Sequence, residues 1–143
     1  MKRPTISLAC ILKNEAHNIG PLLSSIKGCF DEIVFVDTGS TDNSLFFIEQ
    51  VNKQIESGSL VWDGIPEIKV YHFDWVNDFS KARNFAFEKC TKDYIMWLDL
   101  DDQLSSAENF IIWRDNVLHA GHYWVALYNY AFNDKGEIEC QFI

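Results

Sequence analysis

Three aspartates stand within four residues directly after an apolar run: Asp99, Asp101 and Asp102 follow residues 94–98, YIMWL. So much like charge in one place is costly unless a cation or protons neutralise it. Ligands that offer only oxygen favour Mg²⁺ or Mn²⁺, with water or substrate phosphate completing the coordination shell. The cluster therefore predicts a divalent metal site, and the alternative is a solvated acidic loop that caps the following helix.

The spacing of residues excludes several other ways of holding a cation or a phosphate. A calcium-binding EF-hand that starts at Asp99 needs glycine at its sixth position and glutamate at its twelfth, where the chain has Leu104 and Phe110. The glycine-rich patterns of dinucleotide-binding and P-loop proteins do not occur in the sequence. A phosphate group would therefore be held through metal rather than by a glycine-rich loop.

A second acidic turn, residues 37–40, reads DTGS and resembles the active-site sequence of aspartic proteases. Such a protease uses two carboxylates that share a proton, and it is built from β-strands. The pattern from Asp42 onward is helical, and three helices are predicted within ninety residues. An aspartic protease is therefore the least favoured alternative.

The elements that must position these residues alternate between strand and helix through residue 103. Apolar runs predict buried strands over residues 6–12, 33–36 and 94–98, and a further strand over residues 68–73. The first helix is predicted to be capped by Asn18, with Pro21 in its first turn and Gly28 after its end. Helical spacing predicts two further helices, over residues 45–55 and 107–118. Runs over residues 123–132 and 137–142 flank the turn sequence NDKG and predict a C-terminal β-hairpin.

Asp78 or Ser80 is predicted to cap the helix that precedes the aspartate cluster. Its buried face is expected to hold Phe79, Ala82, Ala86 and Cys90, which leaves Arg83 and Asn84 on another side.

Short crossovers between alternating strands and helices imply a mostly parallel open sheet with helices on both faces. The ligand crevice of such a sheet lies beyond the carboxyl ends of its strands. Glu15, Asp37 and residues 99–103 all follow strand ends, so we expect them to converge although they are far apart in sequence.

The composition sets limits on the class of protein. The 143 residues are 48% hydrophobic and carry a net charge of −9, which fits one folded domain over residues 1–143 and disfavours nucleic-acid binding. The four cysteines form no CxxC pair, which favours a reducing, cytoplasmic setting. No apolar stretch approaches the roughly 20 residues of a membrane span.

Four segments taken together resemble the nucleotide-sugar-binding N-terminal portion of family 2 glycosyltransferases, which have the GT-A fold. They are ISLACILKNEAHNI, EIVFVDTGSTDNS, DFSKARNFAFEKC and YIMWLDLDDQ, and their order and spacing match over about residues 5–103. The resemblance implies a metal-dependent transfer of a sugar, with inversion, from a UDP- or GDP-type donor to an acceptor that the motifs do not identify.

The resemblance also implies roles for individual residues. The nucleotide-sugar-binding set is Asn14, Glu15, Asp37, Arg83 and Asp99, with Glu15 near the nucleoside or ribose, Asp37 at the base and Arg83 at the base or phosphate. The set at the Mg²⁺ or Mn²⁺ ion is Asp99, Asp101, Asp102 and Gln103. Residues 104–143 hold no motif for a catalytic base, so the chain is expected to be a donor-binding domain that is incomplete on its acceptor side.

Two further functions are alternatives to sugar transfer. A non-catalytic module of the same fold would bind a nucleotide sugar without turnover. A nucleotidyltransferase would also use metal and a nucleotide, but it needs a glycine-rich basic loop that the first strand lacks.

Three further residues each have two interpretations, a role in ligand binding and an ordinary structural role. Trp62 and Trp75 are candidates for stacking on a sugar, and core packing is the favoured interpretation of both. Lys13 could face a phosphate group, and an exposed position at a strand end is favoured instead.

Overall fold

Strands and helices alternate along most of the chain. The computed structural model describes residues 3–118, 128–132 and 138–142. In chain order the elements are β1 (Ile6–Leu12), α1 (Ala16–Ser25), β2 (Glu32–Asp37), α2 (Ser44–Glu56), a short 3-10 helix (Leu60–Trp62), β3 (Ile68–His72), α3 (Phe79–Lys89), β4 (Tyr94–Trp97), α4 (Ala107–Asn116), β5 (Tyr128–Phe132) and β6 (Ile138–Phe142). The predicted alternation through residue 103 is confirmed.

The first four strands form one parallel sheet in the order β3-β2-β1-β4. The chain moves outward from β1 through β2 to β3, and β4 then lies on the opposite side of β1. The strand order therefore reverses between β1 and β4. In open α/β sheets the ligand crevice lies outside the carboxyl ends of the strands at such a reversal. We call this side of the sheet the carboxyl edge.

Helices cover both faces of the sheet. Successive residues of a strand point to opposite faces, and in β1 and β2 apolar residues point to both. Leu8 and Leu12 of β1 lie in the larger core with apolar residues of α1, α2 and α4. Ala9 and Val34 lie in a smaller core on the other face, with Ala86 of α3. The helix that precedes β4, α3, thus packs on β1 and β2.

Helix α1 begins earlier than predicted, and the prediction that Asn18 caps it is wrong. The helix starts at Ala16, with Glu15 as the cap residue and no side-chain cap of its own. The Ala16 amide instead donates to Asp42 Oδ2 at 3.2 Å, in the loop between β2 and α2. The early start places Pro21 inside the helix, beyond its first turn.

Two predicted burial patterns are also wrong. Phe79 is 68% exposed, whereas Ala82 and Ala86 are buried as expected. Phe79 is the first residue of α3, and it is not among the residues packed in the smaller core. Strand β4 is not buried either: Ile95 and Trp97 are 44% and 46% exposed, because β4 is the last strand of the sheet within the described residues.

A buried carboxylate lies at the opposite end of the sheet, where the parallel strands begin. Glu32, at the start of β2, is 2% exposed. It accepts hydrogen bonds from Lys69 Nζ at 2.6 Å, Ser7 Oγ at 2.7 Å and the Thr91 amide at 2.8 Å. Burial alone would raise the pKa of Glu32, but these hydrogen bonds lower it to about 2. The network ties β1, β2, β3 and the end of α3 together.

The predicted C-terminal hairpin is confirmed as an antiparallel pair of β5 and β6, in which Phe132 is paired with Ile138. The predicted turn at residues 133–136, and the predicted strand residues 123–127 and 137, lie outside the described residues. Among the helices that are described, none has both the length and the apolar character that crossing a membrane requires.

Candidate functional site

A cleft of about 580 Å³ opens at the carboxyl edge, at the reversal between β1 and β4. It is lined by the end of β1, by residues that follow all four strands and by the first turns of α3: Ile11, Lys13, Glu15, Thr38, Trp75, Phe79, Arg83, Asp99, Leu100 and Asp101. Four of the residues predicted to bind a ligand, Glu15, Arg83, Asp99 and Asp101, are therefore brought together. They come from three segments of the chain that are distant in sequence.

The aspartate cluster forms a compact turn after β4. Carboxylate oxygens of Asp99, Asp101 and Asp102 all lie within 4.8 Å of one another. The Asp99 amide donates to Asp102 Oδ2 at 2.9 Å, and the Asp102 amide donates to the Asp99 carbonyl at 3.0 Å. Gln103 follows directly and is exposed. The turn thus gathers the oxygen ligands that a hard divalent cation prefers.

The electrostatics of Asp99 reflect this crowding. Burial raises the pKa of Asp99, and the neighbouring charges of Asp102, Asp101 and Glu15 raise it further, against the opposing charge of Arg83. The contribution of Glu15 is informative because Glu15 follows β1 and Asp99 follows β4. The acidic groups of the two strands on either side of the reversal therefore act on each other.

Arg83 faces the aspartate cluster from α3. Its Nη2 lies 3.4 Å from Asp99 Oδ1, and its guanidinium carbon lies 5.1 Å from the centre of the Trp97 ring. A cation above an indole ring is attracted to the ring face, which restricts the conformations of the arginine side chain. The arginine thus supplies a positive charge beside an otherwise acidic turn, as binding of an anionic group there requires.

Asn14 serves as a link between two loops rather than as part of the cleft lining. Its backbone has a φ of +51°, a left-handed conformation that asparagine tolerates better than most residues. Its Oδ1 accepts hydrogen bonds from the amides of Thr41 at 2.7 Å and Asp42 at 3.1 Å, and its own amide donates to Ser40 Oγ. The loop that carries Glu15 is thereby fixed to the loop that follows β2.

Replacing Asn14 with alanine should lower the free energy of unfolding by about 1–2 kcal/mol, because two amides lose their acceptor. Asn14→Asp keeps an acceptor oxygen in the place of Oδ1 and should be closer to the wild type. Urea denaturation of the three proteins measures the difference. Equal stability of the alanine and aspartate variants would contradict the assignment of Asn14 as a loop link.

Asp37 ends β2 at the carboxyl edge, but it does not line the cleft: its side chain is buried, with 5% of its surface exposed. Its carboxylate accepts the amides of Gly39 at 3.2 Å and Ser40 at 3.1 Å, which fixes the turn after β2. His72 Nδ1 lies 3.6 Å from Asp37 Oδ2, and its Nε2 lies 2.9 Å from Asp74 Oδ1. The hydrogen bond with Asp74, aided by Asp37, raises the pKa of His72.

Core packing, the favoured interpretation of both tryptophans, is confirmed for Trp62 and wrong for Trp75, and Lys13 is exposed as expected. Trp62 is a core residue, 9% exposed, and its Nε1 donates to Gln54 Oε1 at 2.6 Å. Trp75 lines the cleft, as does Lys13, which is an exposed residue directly after β1. Phe79 was missed because its helical spacing pointed to the core. The useful signal was Asp78, which caps α3 and makes Phe79 its first residue.

Known proteins of similar sequence match the part of the chain that holds this cleft. The family model of glycosyl transferase family 2 matches residues 7–108. The SPbeta prophage-derived glycosyltransferase SunS of Bacillus subtilis (strain 168) is 34% identical to this chain over 106 residues. That match covers 74% of this chain and 22% of SunS, so the chain spans about a fifth of the length of this relative.

Two solved structures are similar in fold. S. aureus TarS 1–349 in complex with UDP is 24% identical, with a TM-score of 0.56 over 76% of this chain and 30% of that chain. The mannosyltransferase PcManGT from Pyrobaculum calidifontis, in complex with GDP-Man and Mn²⁺, is 19% identical, with a TM-score of 0.58 over the same shares of the two chains. These similarities confirm the predicted GT-A fold, and the parallel sheet does not fit an aspartic protease.

Proposed function

This chain belongs to glycosyl transferase family 2, and from that premise we propose that its cleft binds a nucleoside diphosphate sugar together with a divalent cation. The sugar then passes to an acceptor with inversion at its anomeric carbon. We also propose that residues 1–143 form one domain that serves the donor side of this reaction.

The observation that carries the proposal is the meeting of Glu15, Arg83, Asp99 and Asp101 in one cleft. A nucleoside diphosphate needs a cationic group at its phosphate oxygens and polar groups at its ribose. The cleft offers both, at the reversal of strand order where open α/β sheets bind their ligands. The structures of similar fold hold UDP in one case and GDP-Man with Mn²⁺ in the other, which supports a UDP- or GDP-type donor.

The residues after β4 fit a divalent cation. Asp99, Asp101 and Asp102 offer only oxygen. Burial and the closeness of the other carboxylates raise the pKa of Asp99, and a bound cation would offset both effects. Gln103, which follows them, could add an amide oxygen. When bound, Mg²⁺ or Mn²⁺ would stabilise the negative charge that develops on the departing diphosphate.

The remaining residues of the cleft have roles toward the nucleotide. Arg83 donates N–H groups to a phosphate oxygen, since its guanidinium already lies at the mouth of the acidic turn. Glu15 accepts hydrogen bonds from the ribose hydroxyls. Asp37 and Asn14 fix the loops after β2 and β1. The proposed role of Asp37 toward the ligand is to accept an N–H of the base.

Titration of UDP and of GDP into the protein, with and without Mn²⁺, tests the proposal. We expect one of the two nucleotides to bind at least about tenfold more tightly when Mn²⁺ is present, because cation and diphosphate bind as a unit. Calorimetry gives the affinities directly. The proposal is wrong if neither nucleotide binds, or if the affinity is indifferent to the cation.

Transfer is separated from mere binding by a second measurement. Incubation of the protein with Mn²⁺ and a UDP- or GDP-sugar should slowly release the free nucleoside diphosphate by transfer of the sugar to water, because residues 1–143 serve the donor side and no acceptor is added. A donor that is bound and recovered intact would favour the non-catalytic module instead.

A further inference from the structure

Two aromatic side chains form one wall of the cleft, and the function proposed above does not use them. Phe79 is 68% exposed, although it is a large apolar residue. Its ring centre lies 4.8 Å from that of Trp75, at an interplanar angle of 68°. Both residues line the cleft, and we call the pair the aromatic wall. Exposed apolar groups that are gathered in a cleft are typical of a binding site.

The aromatic wall is held in place by its neighbours. Asp78 caps α3 and accepts the amide of Ser80 at 3.0 Å, which makes Phe79 the first helical residue, and the Phe79 ring lies against that of Trp75. Trp75 Nε1 donates to Asn77 Oδ1 at 2.9 Å, and Asn77 has a left-handed φ of +55°. A wall that is fixed before the ligand arrives loses little conformational entropy on binding.

The cleft is divided between charged and aromatic lining. Its charged residues are Lys13, Glu15, Arg83, Asp99 and Asp101, and its aromatic residues are confined to the wall. A ligand that fills both parts needs an ionic portion and a neutral, planar portion. A nucleoside diphosphate has this division, with its diphosphate at one end and its base at the other.

The order of residues along α3 matches the order of groups in that ligand. Arg83 follows Phe79 by one helical turn, so the two side chains lie on the same side of the helix. The guanidinium of Arg83 in turn contacts Asp99. Phe79, Arg83 and Asp99 thus correspond in order to the base, the diphosphate and the cation. The sugar is joined to the phosphate farther from the base and therefore belongs near the aspartate cluster.

From this arrangement we infer that the aromatic wall stacks on the base of the nucleoside diphosphate, with Phe79 as the main contact. The inference rests on the function proposed above and adds the residues that recognise the base. Aromatic faces stack on any base, so the wall supplies affinity rather than discrimination between uracil and guanine.

The test compares ligands with and without a base. UDP, GDP and inorganic pyrophosphate are each titrated, in the presence of Mn²⁺, into the wild type and into the variants Phe79→Ala and Phe79→Trp. Phe46→Ala is the matched control, because Phe46 is 62% exposed on α2 and lies outside the cleft lining. Circular dichroism on heating shows that each variant is folded.

We expect Phe79→Ala to weaken binding of UDP or GDP at least about fivefold, the lower end of the effect of removing a stacking aromatic. The affinity for pyrophosphate should not change, Phe79→Trp should keep nucleotide affinity, and Phe46→Ala should match the wild type. The inference is overturned if Phe79→Ala leaves UDP and GDP affinity unchanged, or weakens pyrophosphate equally. If the wild type binds neither nucleotide, the proposed function itself fails, and the inference falls with it.

Discussion

Asp101→Asn should weaken Mn²⁺-dependent binding of UDP or GDP by about a hundredfold or more, because it removes one charged ligand from a hard-cation site. The amide has nearly the shape of the carboxylate, so the fold should be unaffected. Asp101 is also exposed, which means that no buried contact is lost. Calorimetric titration of each nucleotide at a fixed Mn²⁺ concentration measures the effect.

Asp63→Asn is a suitable control for that variant. Asp63 is an exposed aspartate in the loop after the 3-10 helix, outside the lining of the cleft. The substitution Asp63→Asn removes the same formal charge as Asp101→Asn, so a general electrostatic effect would appear in both variants. If Asp101→Asn kept the wild-type nucleotide affinity and the wild-type dependence on Mn²⁺, the aspartate cluster would not be the cation site.

The second large effect concerns stability rather than binding. Glu32→Gln should lower the free energy of unfolding at pH 7 by about 3 kcal/mol, because a buried carboxylate with a pKa of about 2 loses its charge-assisted hydrogen bonds. The pKa of Glu32 is lowered in the folded state from its usual 4.5. Its stabilising contribution is therefore complete above about pH 4.5 and is lost as the pH falls toward 2.

Urea denaturation of the wild type and the variant between pH 7 and pH 2.5 measures this contribution. The difference between the two proteins should be largest near neutral pH and should shrink as the solution becomes acidic. Glu49→Gln is the control, since Glu49 forms an exposed ion pair with Lys53 and should change the stability by less than about 0.5 kcal/mol. A difference that does not depend on pH would mean that the carboxylate charge of Glu32 is not what stabilises the fold.

The strands and the aspartate cluster could be predicted because their signals are local. Residues 6–12 and 33–36 are short apolar runs with polar ends, and each is a strand at or near the predicted bounds. A parallel sheet brings the residues after its strands to one edge, so Glu15 and Asp99 could be expected to meet. The contribution of Glu15 to the raised pKa of Asp99 supports that expectation.

The errors arose where a residue's environment depends on distant parts of the chain. The start of α1 is set by Asp42, which lies in another loop and accepts the Ala16 amide. The exposure of Phe79 depends on where α3 begins relative to the edge of the sheet. The burial of Asp37 depends on the loop after β2, which folds over its carboxylate. Periodicity within one segment contains none of this information.

The central claim is that the residues after β4 hold one cation, and that the residues after β1 lie beside it and contact the nucleoside diphosphate bound with it. Nuclear magnetic resonance of the ¹⁵N-labelled protein tests it directly, because Mn²⁺ broadens the amide signals of residues close to it. On addition of Mn²⁺ with UDP or GDP, the signals of residues 13–15 and 99–103 should broaden first, while Glu32 and its neighbours at the opposite edge stay sharp. Broadening that leaves either segment sharp, or that is as strong around Glu32, would contradict the account.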